Sequence, residues 1–124
     1  MPSTIRRLTS EQFGALLQAA APTLTRRIDA VHVHHTWRPT RSQFKGLSTI
    51  EAMRNYHVNT NKWSDIAQHL TVDPQGYAWT GRNWNAPPAS QAGRNGTAAA
   101  GPFMIEVVGD FDTGADVLDG SQRT

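Results

Sequence analysis

Cysteine is absent from all 124 residues, so neither a disulfide framework nor a thiolate metal ligand is open to this chain. No apolar run approaches the roughly 20 residues that a membrane-spanning helix needs, which argues against membrane insertion. Met1 to Arg7 hold no apolar stretch followed by a small-residue cleavage site. With no secretory signal visible, localisation stays open, and delivery to a cell wall would need another route. Charge of one sign is scarce too: twelve Lys and Arg against ten Asp and Glu leave +2. That is too little for nucleic-acid binding, even though Arg6, Arg7, Arg26, Arg27, Arg38 and Arg41 bias the first third towards positive. Internal repeats and interdomain linkers are lacking as well. What remains is a 38% hydrophobic chain of one small domain, 1–124, with its core in 28–111 and a polar loop or tail over 112–124.

What the chain does have is histidine gathered in one place. Val31-His32-Val33-His34-His35-Thr36-Trp37 puts three imidazoles within four residues at the end of a β-branched run. Extended over 28–35, it sends His32 and His34 to one face and Val31, Val33 and His35 to the other. Neutral imidazole is a common zinc ligand, and a hydrogen-bonded structural histidine is equally common, so the residues alone leave both readings open. Without cysteine, a metal must be held by His, carboxylate or water.

The remaining pattern is that of an α/β chain. Thr9-Ser10-Glu11-Gln12 has the form of a capping box, and Phe13, Leu16, Leu17 and Ala20 follow at helical spacing, which predicts a first helix ending at Ala21 before Pro22. Ser48-Thr49-Ile50-Glu51 reads as a second capping box, with Ile50, Met53, Tyr56 and His57 as the inward stripe of a helix to about Thr60. Strands are expected from Gln68 to Val72 and from Tyr77 to Thr80, joined by the turn Asp73-Pro74-Gln75-Gly76. A Gly-, Ala-, Asn- and Pro-rich loop is expected over 81–101, and a last strand from Phe103 to Val108. On that strand Glu106 shares a face with Met104 and Val108, so its carboxylate must sit at a polar opening or be paired.

In this order the motifs resemble the zinc N-acetylmuramoyl-L-alanine amidase and peptidoglycan recognition protein family, from about Ala30 to Phe111. The hydrophobic-His-His-Thr element is here Val33-His34-His35-Thr36, and the aromatic-His pair ending a helix is Tyr56-His57. Gly-Trp-x-Asp-Ile-Gly-Tyr-His-Phe is matched by Lys62-Trp63-Ser64-Asp65-Ile66-Ala67-Gln68-His69-Leu70, and Gly-Arg-x-Trp-Asn by Gly81-Arg82-Asn83-Trp84-Asn85. Gly93-Arg94-Asn95 and Val107-Val108-Gly109-Asp110-Phe111 complete the series. The resemblance implies a mixed central sheet flanked by helices and hydrolysis of the amide between N-acetylmuramic acid and the first L-alanine of the peptidoglycan stem peptide. It implies Zn2+ held by His34 and used to polarise the carbonyl and activate water. His57 and His69 match family histidines that are not ligands. Catalytic roles fall to Gln68 and Glu106, and contacts to peptidoglycan or a muropeptide to His35, Thr36, Trp37, Arg82, Trp84 and Asn95.

Departures from the family pattern carry their own expectations. Gln68 stands where a tyrosine or glutamate is usual and cannot act as a base. Ala89-Ser90 replaces an Ala-His pair. The family's further zinc ligands lie in a C-terminal segment that has no counterpart before Thr124, so the zinc site is expected to be incomplete and one covering helix missing. A homo-oligomer or a complementing C-terminal segment is the expected partner of the face left bare. The competing function is a non-catalytic module binding peptidoglycan or a partner protein, with Trp37, Trp63, Trp79 and Trp84 as groove or core. A β-lactamase-type reading of His32-x-His34-His35 fails because no Asp-His follows at the required spacing.

Overall fold

The chain runs β1 (Arg7–Leu8), α1 (Ser10–Ala20), β2 (Arg27–His35), α2 (Leu47–Asn55), β3 (Leu70–Val72), β4 (Ala78–Thr80) and β5 (Ala100–Val107) in the computed structural model, which describes residues 4–112, 116 and 122. Most of the polar tail expected over 112–124 therefore lies outside the described residues. The five strands form one sheet in the order β1-β4-β3-β5-β2. β5 is parallel to both β2 and β3, whereas β4 is antiparallel to β1 and β3. This is the mixed α/β architecture that the motif order implied.

Strand alternation assigns each face its own cover. On one face Leu8, Leu70, Ala78 and Phe103 form a buried cluster against Phe13 and Leu16 of α1. On the other, Ile50 of α2 joins Ile66 and Trp79, with Phe44 and Met53 packed alongside. Val31 and Val33 are left 57% and 64% exposed. The β2 face read as mostly apolar is therefore, at these two residues, an exposed one.

Local signals explain most element ends. Thr9 caps α1 through a bond from the Gln12 amide at 3.1 Å, and the Gln12 side chain accepts from the Thr9 amide at 2.9 Å. The α-helix stops at Ala20, one residue early, and Ala21–Thr23 tighten into a 3-10 turn around Pro22. The second capping box does not form: α2 starts after Gly46, whose φ of 81° suits glycine, and the Thr49 hydroxyl instead accepts from the Lys45 amide. A capping box does form at Thr40 and Gln43, on a 3-10 turn in what was read as plain loop. Beyond Asn55 the helix continues as a π-turn, Tyr56–Thr60. Tyr56, expected on the inward stripe, is 57% exposed at the start of that turn.

Several strand limits differ from expectation, among them the end of the last strand, at Val107 instead of Val108, and β1 was not expected at all. β3 begins at Leu70, because Asp65 to His69 are buried in irregular backbone whose amides bond elsewhere: Ala67 to His57 Nδ1 and His69 to the Met104 carbonyl. β4 begins one residue late, at Ala78. β5 starts at Ala100, inside the expected loop, since parallel pairing with β2 extends down to Arg27. Buried Arg26 secures that start by donating to the carbonyls of Asn95, Thr97 and Pro102 at 2.6 to 2.9 Å. Burial pushes the Arg26 pKa down, with Asp29 opposing, and three charge-assisted bonds offset the desolvation.

Gly81 sits where two backbones nearly touch. Its amide donates to the His69 carbonyl, and a Cβ would run into the Gln68 carbonyl oxygen and come within 3.1 Å of Ile66 Cγ2. Backbone on the far side cannot retreat as a flexible side chain can. Gly81→Ala is therefore expected to cost about 2 kcal/mol or more, read as a lower urea midpoint with an unchanged slope. A midpoint equal to that of the native chain would show that the 66–68 backbone yields freely.

Candidate active site

A groove of about 540 Å³ opens between α2, the π-turn and the β2–α2 connection. Glu106 lines it, together with Thr36, Trp37, Met53, Tyr56 and His57. Parallel register sets His34 directly beside Glu106, with Thr71 of β3 on the far side of the glutamate. Desolvation raises the Glu106 carboxyl pKa from 4.5 to about 7, and no hydrogen-bond partner for it exists among the described residues. Of the two environments the strand pattern allowed, Glu106 has the open one.

His32 and His34 share this sheet face with rings nearly parallel, 6.4 Å between centroids and 3° between planes. The Ser90 hydroxyl lies 2.8 Å from His32 Nδ1 and 2.9 Å from Asn95 Oδ1, which also accepts the amides of Ser90 and Gln91. An amide oxygen can only accept, so the single hydroxyl proton goes to Asn95 and the neutral His32 ring carries its proton on Nδ1. His35 points to the opposite face, where Nδ1 accepts the Phe111 amide at 3.3 Å and Nε2 lies 3.5 Å from Asp112 Oδ2. Nδ1 of His57 accepts the Ala67 amide, and burial followed by the Arg82 charge pushes its pKa down.

The groove receives only part of the expected set. Thr36 and Trp37 line it, but the Thr36 hydroxyl is engaged in the turn, donating to the Pro39 carbonyl and accepting from the Gly109 amide. Gln68 is fully buried outside it, with Nε2 donating to Thr71 Oγ1 at 2.9 Å and Oε1 without a partner among the described residues. Arg82 donates to the carbonyls of Asp65, Ile66 and Pro87, Trp84 packs edge-on against Phe13 and Phe103, and Asn95 organises the 90–95 turn. The four tryptophans divide: Trp79 is core and bonds Asp73, Trp84 is partly buried, and Trp37 and Trp63 are exposed. Tyr56, Met53 and Arg38 were not singled out for the groove. Met53 reaches it from α2, Tyr56 from the start of the π-turn and Arg38 from the bend after Trp37.

No group of three or more His, Asp or Glu side chains able to hold a metal ion is present among the described residues. His34 lies on β2 in register with Glu106 but is not itself among the groove-lining residues, and the described donors do not make a closed zinc site.

No protein-family model matches the chain. Over 84 residues it is 29% identical to the N-acetylmuramoyl-L-alanine amidases of Mus musculus and Sus scrofa, a match covering 65% of this chain and 15% and 13% of theirs. It superposes on bumblebee PGRP-SA with a TM-score of 0.66 at 22% identity, covering 99% of this chain and 61% of that one. A Drosophila PGRP-LB point mutant in complex with tracheal cytotoxin aligns with a TM-score of 0.63 at 18% identity, covering 98% and 60%. The chain thus spans a small part of the curated relatives and about three fifths of the structures. Its α/β fold is the peptidoglycan recognition protein fold, and its sequence relatives are amidases.

Two buried groups give the site a pH signature of opposed signs. Glu106 in the fold keeps a proton that the unfolded chain releases, so its stabilisation is complete below 4.5 and lost as pH rises through about 7. Desolvation holds His69 at about 4 against 6.5, so its contribution is present above 6.5 and lost as pH falls to about 4. Between 4.5 and 6.5 the two slopes oppose each other. Glu106→Gln should unmask the His69 slope, giving a melting temperature that climbs from about pH 4 to 6.5, and should stabilise the fold near pH 8 by on the order of 2 kcal/mol. Parallel melting curves for variant and native chain across that range would refute the burial of the carboxyl.

Proposed function

We propose that this chain carries the catalytic groove of a peptidoglycan hydrolase that cleaves the amide between N-acetylmuramic acid and the L-alanine of the stem peptide. The observation that carries the reading is Glu106: a solvent-open, largely desolvated carboxyl, beside a histidine on the adjacent strand, at the floor of a groove. A group with its pKa near neutrality is matched to general acid–base work. Glu106 as carboxylate takes a proton from the water that adds to the amide carbonyl. The tetrahedral adduct then collapses with C–N cleavage, and the same proton passes to the departing alanine nitrogen. Zinc belongs to the proposal through His34 alone; when bound it would supply Lewis-acid chemistry, and no step above is routed through it. Similarity to named amidases, and to a neighbour solved with tracheal cytotoxin, supports a muropeptide as ligand.

Gln68 enters this reading at one remove. Its amide bonds Thr71, the neighbour of Glu106 across the strands, so it braces the floor without touching a ligand. A second reading, a muropeptide-binding module without catalysis, is favoured by the lack of a three-ligand metal group among the described residues.

Release of stem peptides from purified sacculi separates the two. If the chain is a hydrolase, Glu106→Gln should lower the rate by at least about 100-fold while retaining the fold, and His34→Ala should abolish it. His32→Ala and His57→Ala should mainly lower the melting temperature. No release by any form, together with retained muropeptide binding, would give the lead to the binding module. Metal analysis is a separate check. A donor set this small should hold zinc weakly and lose it to a chelator, so stoichiometric, chelator-resistant zinc would show that further ligands complete the site.

A further inference from the structure

The His-bearing strand leads into a residue that pays a conformational cost. Trp37 has φ of 59°, a left-handed backbone that a non-glycine residue adopts at a cost of about 1 to 2 kcal/mol. Four hydrogen bonds hold it there. The Thr36 and Trp37 amides donate to the carbonyls of Val107 and Gly109, Thr36 Oγ1 donates to the Pro39 carbonyl, and Gly109 donates to that hydroxyl. The bend does not tuck the indole into the core, where an aromatic of this size is most favourable. It leaves Trp37 54% exposed on the groove lining. The Arg38 guanidinium lies over the ring at 4.6 Å and within 3.5 Å of Asp110 Oδ2, so the indole is backed by an anchored cation.

We infer that Trp37 is a stacking platform for a pyranose ring, the sugar of the glycan strand, and determines that the groove takes sugar-bearing substrate. This rests on the peptidoglycan reading of the site. An indole supplies a flat apolar surface of the kind that the C–H face of a pyranose packs against, and it asks for no charge on the ligand. Tyr56, the other exposed aromatic of the groove, adds a second such surface with a hydroxyl at its tip. An extended peptide would be read differently, by charges facing its termini. Among the described residues the groove lining offers one Arg or Lys, Arg38, which is already within reach of Asp110. A fully apolar ligand fits poorly as well, because the Glu106 carboxyl at the groove would be covered without a partner.

The test uses the whole chain and two probes, measured by titration calorimetry and ligand-observed NMR. One is the peptide-free disaccharide of N-acetylglucosamine and N-acetylmuramic acid; the other is the free stem peptide beginning with L-alanine. Trp37→Ala should weaken the disaccharide at least tenfold, Trp37→Tyr should stay within about threefold, and the stem peptide should bind all forms alike. Trp37→Gly guards against misfolding, since glycine is at ease at this φ: it should melt no lower than Trp37→Ala and show the same loss. Unchanged disaccharide affinity in Trp37→Ala or Trp37→Gly overturns the assignment. So does an equal loss for the stem peptide, or a native chain that fails to bind the disaccharide. Disaccharide binding lost with the indole, in a chain that releases no stem peptide, supports the platform and removes only the hydrolase reading.

Discussion

Because β5 lies parallel to β2 in a register that sets His34 against Glu106, one imidazole and one carboxyl from residues 72 positions apart come to share a patch of sheet. The constraint is unforgiving, since side chains alternate with a period of two. A slip of one residue would turn Glu106 towards the α1 core and bring Ile105 or Val107 to the groove. The register is held at both ends. Arg26 fastens the start of β5 through three carbonyls, and the Thr36 and Trp37 amides continue the pairing beyond its end. The bulge between Ile28 and Ala30 then absorbs the one residue by which the strands would fall out of step.

The long connection between β4 and β5 is ordered by buried polar side chains instead of secondary structure. Arg82 binds the carbonyls of Asp65, Ile66 and Pro87, and His69 bridges the Met104 amide and the Ala86 carbonyl. Asn95 closes its own turn and, through Ser90, fixes the proton of His32. Backbone without a ladder must find partners for its polar groups, and cationic or imidazole donors that reach several carbonyls at once meet that need economically. Residues of a type that suggests binding are therefore used here to build, which is why Arg82 and Asn95 resemble site residues in sequence and serve as scaffold in space.

Legibility in the sequence followed how local each interaction is. The capping box at Thr9, the hairpin turn at Asp73-Pro74-Gln75-Gly76 and the extended run through His35 depend on neighbours within four residues, and each reading stood. The failures lie where distant chain intervenes. Ser48 lost its capping role to Gly46, β5 was lengthened by pairing with Arg27, and residues 65–69 gave up strand geometry to bond the loop and His57. The π-turn at Tyr56 shifts the helical phase by one residue, a change that no periodicity in the sequence records.

By itself the sequence determined that the chain is α/β, that it has no thiol chemistry, that three of its five imidazoles gather on one strand, and that its motif order resembles that of amidases and peptidoglycan recognition proteins. Composition and short-range spacing suffice for these, because each is a property of the chain before it folds. Only the tertiary structure decided that Gln68 is buried beneath the groove while Glu106 opens into it, that Arg82 holds backbone, and that Trp37 faces outward. Burial and register are set by which strand lies beside which, and that pairing joins residues whose separation along the chain contains no trace of their contact.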